Sequence, residues 1–428
     1  MNVIVFEDDG VLQLFPITTG RPAYAIGCGS FRLIDWLTEI EGNLVGLVRS
    51  YLETLQLHDY PEFQQRLDPG HNLTWFINAR LVPSVSNLKR LYRFRDQALQ
   101  HQPELSAPGR VVMTRDGWAV TSAVLATREL IGKSAAELRE LLVDFGDSSR
   151  SSTNLIEADL KLFHYPHEVV DQHLKTLSEN LQQRISIGQY RQHDTGVFLG
   201  EGVSFGPHVV LDPSAGPVVV EAGVSLGPFS LLRGPVYVGR HAKLSEYAAI
   251  KDHVAIAHHC KIGGEVEASV IEPYTNKQHH GFLGHSYVGS WINLGAGTCN
   301  SDLKNTYGTV NAEYGDYKVS TEMQFFGCVI GDYAKTAINT SIFTGKIIGT
   351  ASMVYGFATT NVPSFVNYAR TFGELGNLPP EVVVATQGRM FARRNVQQRP
   401  CDIQLVHDMY RVTASERPAG LSDQPLTL

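Results

Sequence analysis

Arg233 and Lys251 stand eighteen residues apart, each in a slot that neighbouring segments fill with glycine or a small residue. Two cations at that interval would leave one edge of a coiled backbone one above the other. Such a pair can clamp a phosphate, or it can be two solvated surface charges. Six of the sixteen histidines fall between 253 and 285: His253, His258, His259, His279, His280 and His285. A neutral imidazole suits proton removal from an amine near neutral pH. The five-residue separations His253/His258 and His280/His285 also suit metal ligation, and a packing or surface role remains open for each.

The element that positions these residues is a six-residue repeat. Apolar anchors stand at Leu199, Phe205 and Leu211. After a three-residue slip they resume at Val220, Leu226, Leu232, Val238, Leu244, Ile250, Ile256, Ile262 and Ala268. A small or β-branched residue follows four places later, as at Val224, Ser230, Ala242, Ala248, Val254 and Cys260, and glycine often follows the anchor directly. Short strands joined by tight corners produce this pattern, three hexads closing one triangular coil. The repeat returns at Ile330, Thr336, Ile342, Ile348 and Val354, with Lys346 breaking the small-residue rule. The pattern predicts a left-handed parallel β-helix whose coils stack about 4.8 Å apart.

Residues 1–155 read differently, as an α/β domain with a Rossmann-like, nucleotide-fold-like parallel sheet. Val3–Phe6 and Leu73–Ile77 are buried-strand candidates, and Val111–Met113 with Trp118–Val120 forms a hairpin around Asp116-Gly117. Leu33, Leu37, Ile40, Leu44 and Leu47 predict a helix over 31–51, and Ser134 with Glu137 makes a capping box ahead of Leu138, Leu141 and Leu142. A connecting arm over 156–190 carries a helix from Pro166 to Gly188, its apolar face Val170, Leu174, Leu177, Leu181 and Ile185. The β-helix domain spans 191–365. The tail, 366–428, is helical or irregular, with Arg389, Arg393 and Arg394 and a disordered Pro/Ser/Asp end.

Composition sets limits. The chain has 428 residues, 43% hydrophobic and 18% charged, with a net charge of −7. No basic face is long enough to neutralise many phosphates, which argues against nucleic acid as a partner. No apolar run approaches the roughly 20 residues of a membrane span, and MNVIVFEDDG is no signal peptide. Five scattered cysteines without a CxxC pair fit a reducing cytoplasm.

The segment Lys277–Asn300, KQHHGFLGHSYVGSWINLGAGTCN, resembles the acetyltransferase half of the bacterial bifunctional glucosamine-1-phosphate N-acetyltransferase/uridyltransferase family. The matching elements are His279, Phe282-Leu283-Gly284, and Asn293-Leu294-Gly295-Ala296-Gly297-Thr298, together with Leu226–Arg233 and Lys251 one coil later. The resemblance covers roughly 197–365 and implies acetyl-CoA as cosubstrate and a sugar phosphate as acceptor. It further implies His279 as general base, Arg233 and Lys251 on the phosphate, and Asn293 on the sugar near the reacting nitrogen. By reaction type, main-chain amides of 293–298, including Gly295, Ala296 and Gly297, would face the thioester oxyanion; the tail arginines Arg389, Arg393 and Arg394 either reach the phosphates of CoA or lie on a solvated surface. The chain departs from the family in three ways: Phe282 replaces a tyrosine, Lys304 is a loose counterpart of a second lysine, and the path from Lys251 to His279 is longer. The longer path leaves Glu267 as an alternative neighbour of the substrate.

Leu14-Phe15-Pro16-Ile17-Thr18 with Arg21-Pro22 resembles the phosphate-loop region of sugar-phosphate nucleotidyltransferases. That resemblance implies Asp8, Asp9, Arg21 and Arg32 as nucleotide ligands, and Mg²⁺ if the domain is active. The loop Glu7-Asp8-Asp9-Gly10 holds one glycine, and Asn78-Ala79-Arg80 stands where a metal-binding aspartate is expected. The leading expectation is an acetyl-CoA-dependent acyltransferase on an amino-sugar phosphate. The family's architecture further implies a homotrimer with sites between neighbouring prisms. A γ-class carbonic-anhydrase-like metal lyase and a non-catalytic sugar-binding assembly module are the alternatives.

Overall fold

The computed structural model describes residues 1–100, 110–146, 153–315 and 317–423, and Leu142 and the last five residues lie outside the described side chains. The chain divides into two compact units. The first comprises Met1–Leu14, Arg21–Ile26 and Phe31–His164, the second Phe15–Gly20, Gly27–Ser30 and Tyr165–Leu428.

The first unit is built on a six-stranded sheet. Its strands are β1 (Asn2–Phe6), β2 (Asn43–Leu47), β3 (Leu73–Asn78), β4 (Val111–Asp116), β5 (Ala119–Ala126) and β6 (Thr153–Leu155), in the order β2-β1-β3-β5-β4-β6. The expected strands at 3–6 and 73–77 and the hairpin at Asp116-Gly117 are present. The sheet is mixed, however: β5 runs antiparallel to both β3 and β4. The helix expected over 31–51 is confined to α1, Leu33–Leu37. Leu44 and Leu47, read as helical, belong to β2, which pairs in parallel with β1. Gly42 at φ 157 ends the preceding segment in extended backbone. Tertiary pairing against the apolar β1 then overrides a helical spacing carried by apolar residues alone. Ser134 and Glu137 form the expected capping box, the Ser134 N–H and hydroxyl each donating at 2.7 Å to the Glu137 carboxylate.

The second unit contains a left-handed parallel β-helix of about 10 turns. Face 1 is formed by rungs such as 218–220, 236–238 and 254–256, and face 2 by rungs such as 225–226, 243–244, 261–262, 276–277, 293–294 and 335–336. Face 3 comprises 210–212, 231–233, 249–251, 265–267 and 282–284, then 299–300, 341–342 and 357–358. The anchors Val220, Leu226, Leu232, Val238, Ile250, Ile256 and Ile262 are buried within one core, as are Ile330, Ile342, Ile348 and Val354. Each such side chain contributes roughly 1.5–3 kcal/mol through burial. Phe205 remains 41% exposed, because the first coil has no coil beneath it.

Ala268 is not an anchor. Ile250 pairs with Val266, sixteen residues on, so the coil is two residues short and Ala268 falls on a corner at φ 49. The missing pair lies between faces 2 and 3. Four residues separate Leu226 from Leu231, Leu244 from Ala249 and Lys277 from Phe282, but only Gly263-Gly264 separates Ile262 from Glu265. Higher up, an insertion with the hairpin Asn311–Tyr314/Tyr317–Ser320 interrupts the prism between face 3 and face 1. The ladder crosses there through side chains. Asn300 accepts from the Gly284 N–H at 2.9 Å and donates to the Gly284 carbonyl at 3.0 Å.

The arm helix α2, Pro166–Ile187, starts on proline and stops at Gly188 as expected. Its Leu177 and Leu181 pack on Val219 and Ala255 of face 1. Two further helices, α3 (Pro380–Ala392) and α4 (Pro400–Val412), form the tail. Among the described residues no helix is long and apolar enough to cross a membrane, and the five cysteines are free.

His173 of α2 is fully buried and fixed in one tautomer. Its Nδ1 accepts from the Gly29 N–H at 3.0 Å and its Nε2 donates to the His253 carbonyl at 2.8 Å. Burial pushes this imidazole down to about 4, against about 6.5 when exposed. The unfolded chain therefore binds a proton that the folded chain refuses, and stability falls as pH drops from about 6.5 toward 4. In urea unfolding, the wild type should lose up to about 1.4 kcal/mol per pH unit in that window from this group, a loss that His173→Gln should remove.

Candidate functional site

Face 2 presents a column of outward side chains set by strict rung pairing: Lys243 beside Lys261, Lys261 beside Asn276, Asn276 beside Asn293, Asn293 beside Lys335. The end of α3 lies over this column and encloses a cleft of about 290 Å³. Lys261, Lys335, Arg393 and Arg394 line it, with Asn276, Gln278, Asn293 and Met390. Its wall is aromatic: Tyr274 stacks on Trp291 at 4.3 Å with the rings parallel, and Trp291 packs on Phe391 of α3 at 4.3 Å. Arg394 is anchored by donating to the His259 carbonyl at 3.1 Å.

No carboxylate pairs with Lys243, Lys261, Lys335, Arg393 or Arg394 among the described residues. Burial, then the charges of Arg394, Lys243 and Arg393, holds the Lys261 ammonium below its ordinary value. Burial pushes Lys335 down to about 8. Clustered, partly desolvated cations without counter-charges favour an anion. The aromatic wall adds a surface on which a flat ring can stack. A ligand carrying both phosphates and a heterocycle fits this chemistry.

The structure thus brings Asn293 and Arg393 together, and His279 directly follows the lining residue Gln278 at the face 2/face 3 corner. Arg233 and Lys251 belong elsewhere. They are paired rung to rung as the eighteen-residue spacing implies, at the face 3/face 1 corner, with Glu267 on the next rung and Gly284 above it. Gly284 is two rungs above Lys251, about 10 Å, and His279 lies five residues before it at the other end of the strand. His279 and these cations thus stand at different corners of one prism. Their charge is also already answered. Arg233 faces Asp212 at 3.4 Å and Asp252 at 3.8 Å, and Lys251 faces Glu265 at 2.5 Å and Glu267 at 3.7 Å. A phosphate there competes with four carboxylates.

Above this column His285 pairs with Asp302, Nδ1 to Oδ2 at 2.8 Å, and its ring stacks on Phe325. Phe282 lies on face 3 opposite Glu265 and donates its N–H to Cys299 Sγ at 3.3 Å. Lys304 is tied into the insertion, its Nζ donating to the Thr309 carbonyl at 2.8 Å. Among the described residues no three His, Cys, Asp or Glu side chains are placed to hold a metal ion.

Four of the expected oxyanion amides are spent on the fold. The N–H groups of Asn293, Gly295, Gly297 and Thr298 donate to carbonyls of Ala334, Thr336, His280 and Gly295 at 3.1–3.2 Å. A Cβ at Gly295 would come within 2.6 Å of the Ala337 carbonyl, so close stacking of the next coil accounts for that glycine. Ala296 likewise gives its carbonyl to the Asn339 N–H.

In the first unit, Arg80 is almost fully buried and fills the loop after β1. It donates to both carboxylate oxygens of Asp8 at 2.6 and 2.7 Å and to the Phe163 carbonyl at 2.6 Å. Its guanidinium carbon lies 2.5 Å from where a Cβ of Gly10 would be. Asn78 also donates to Asp8. Glu7 accepts from the Ala23 N–H and from Arg49. Arg32 is paired with Asp35 at 2.7 Å, and Arg21 is buried. Of the loop carboxylates only Asp9 is exposed. Asp8 is thereby taken up within the chain, and Asp9 alone among the loop carboxylates stands open to a cation.

Residues 3–186 match the family described as sugar nucleotidyl transferase. The chain is similar to the Bifunctional protein GlmU of Chromobacterium violaceum, 31% identical over 242 residues, 54% of this chain and 48% of that protein. It is also similar to that of Ralstonia nicotianae, 33% identical over 118 residues, 27% and 25% of the two chains. The chain thus spans between a quarter and a half of these curated relatives. Among solved structures, a UDP-N-acetylglucosamine acyltransferase of Francisella novicida is 12% identical, with TM-score 0.21, over 53% of this chain and 94% of its own. The polySia-specific acetyltransferase NeuO is 15% identical, with TM-score 0.17, over 40% and 82%.

Sequence reasoning missed Lys261, Lys335, Tyr274 and Trp291, while Arg394, singled out with Arg393 in the tail, does line the cleft. A signal was present, since Lys243 and Lys261 repeat at eighteen residues like Arg233 and Lys251, and Tyr274 and Trp291 at seventeen. Because Lys335 titrates near 8, affinity of the cleft for 3′,5′-ADP should fall as pH rises from 7 to 9. Calorimetry should show a several-fold loss over that range, and Arg393→Ala/Arg394→Ala should weaken binding at least about tenfold at pH 7, the order expected for losing charge-assisted bonds.

Proposed function

We propose that the chain is an acetyl-CoA-dependent N-acetyltransferase acting on an amino-sugar phosphate of the glucosamine-1-phosphate type. The observation that carries this reading is the face 2 cleft, where four cations without carboxylate partners surround Asn293 beside an aromatic wall. CoA supplies an acyl thioester together with phosphates and an adenine ring. Lys261, Lys335, Arg393 and Arg394 would hold its phosphates, with Tyr274 and Trp291 beside the ring. Asn293 would position the sugar, and His279, at the adjoining corner, would take the proton from the amine as it attacks the thioester. Arg233 and Lys251, with Glu267 nearby, form a second anchor for the sugar phosphate that must displace its present carboxylate partners. The similarity to the GlmU proteins supports the assignment.

For the first unit we propose sugar-1-phosphate nucleotidyl transfer, supported by the family match over 3–186. We assign the assembled state as a homotrimer, since His279 and the Arg233–Lys251 column stand on different corners of one prism. Light scattering should give three chain masses, and a monomer would overturn the assignment.

In an incubation with acetyl-CoA, glucosamine-1-phosphate, UTP and Mg²⁺, thiol and pyrophosphate release report the two activities separately. His279→Ala should lower thiol release by about 10²-fold or more, the usual contribution of a general base, and leave pyrophosphate release unchanged. Unchanged thiol release would remove His279 from the reaction. Absence of any thiol release across amino-sugar phosphates would favour a non-catalytic assembly module.

A further inference from the structure

Lys277 occupies an interior position of the prism. Its rung pairs with Ile262, and its side chain is 2% exposed inside a column whose neighbours Leu244, Ile262 and Leu294 are apolar. Burial pushes its ammonium down to about 8. A cation in such a place persists only when hydrogen bonds replace its water. Lys277 Nζ donates to the Gly263 carbonyl at 2.7 Å and to the His279 carbonyl at 3.1 Å.

Gly263 lies in the two-residue-short corner itself, and His279 in the corner directly above it. Elsewhere on this edge, the carbonyl two residues after the anchor accepts an N–H from the coil above: Pro207 from Phe229, Pro228 from Tyr247, Ala296 from Asn339. At the corner 278–281 this register fails, and the Gly297 N–H reaches His280 instead. The His279 carbonyl is left over. The short corner also lacks the small inward residue whose hydroxyl bonds a corner carbonyl, as Ser230 does to Gly227 and Thr340 to Ala337. Lys277 fills that space from the coil above, and Gly264 makes room: a Cβ there would lie 2.9 Å from Nζ. Among the described residues, the bond from Lys277 is the only hydrogen bond that His279 makes.

We propose that Lys277 is a positioning residue that fastens the main chain of His279 from inside the prism and thereby sets where its imidazole stands beside the cleft. This rests on the reading of His279 as the base. Lys277→Met keeps the volume and strands two carbonyls, and Lys277→Gln keeps one donor.

Thiol release and histidine ring resonances are followed in these variants, alone and combined with His279→Ala. Lys277→Met should lower kcat at least tenfold with KM for acetyl-CoA unchanged, Lys277→Gln should recover part of it, and Lys277→Met should add no further loss in the His279→Ala background. The His279 ring resonance should be single in the wild type and should broaden or split in Lys277→Met. An equal loss in both backgrounds, or a wild-type kcat in Lys277→Met with an unchanged His279 resonance, would overturn the proposal. A wild-type rate in His279→Ala overturns the base reading instead, and the resonance alone then decides the positioning role.

Discussion

The main-chain ladder between coils is the constraint on which the second unit depends. Each rung sits about 4.8 Å above the last, so an outward side chain has its counterpart directly overhead, and the order of residues along one coil becomes a column across many. Chemistry on such a surface is written by period rather than by local motif. The cations of face 2 and the ion pairs at the face 3/face 1 corner are both products of this rule. They differ because one column meets carboxylates and the other does not.

Irregularities do the remaining work. Removing two residues at 263–264 shifts the register by which carbonyls find donors, and the chain answers with a lysine in its core. The insertion after Asn300 brings Asp302 to His285 and Phe325 against the same ring. In the first unit the irregularity is electrostatic. Arg80 occupies the loop after β1 and binds the carboxylate of Asp8 on both oxygens, so charge that a phosphate or cation would meet is compensated within the chain.

Much of this was legible in the residues. The hexads announced the prism and its inward anchors, because a period of six with small residues at the corners admits few other structures. The stacking of Arg233 on Lys251 followed from their spacing. The Ala268 assignment failed because counting forward assumes that every corner has the same length, and Gly263-Gly264 shortens one. The helix read through Leu44 and Leu47 failed because leucine spacing does not report which neighbouring strand is available to pair. The cleft was hidden for a different reason: Arg393 and Arg394 follow a helix beyond the repeat, and no period links them to Lys261 or Lys335. The glycines of 295–297 look like an oxyanion cradle in sequence, but they serve the close approach of the coil above.

Asn300 carries a broader meaning. Its carboxamide makes toward Gly284 the donor and acceptor bonds that a peptide unit would make. A side chain that imitates backbone acts as a splice: the ladder continues across it while the chain itself leaves the prism and returns 28 residues later at Cys328. Elaboration at this point is uncoupled from the integrity of the coil stack. The solenoid can therefore acquire a new loop beside an existing column of side chains without re-registering the rungs on either side.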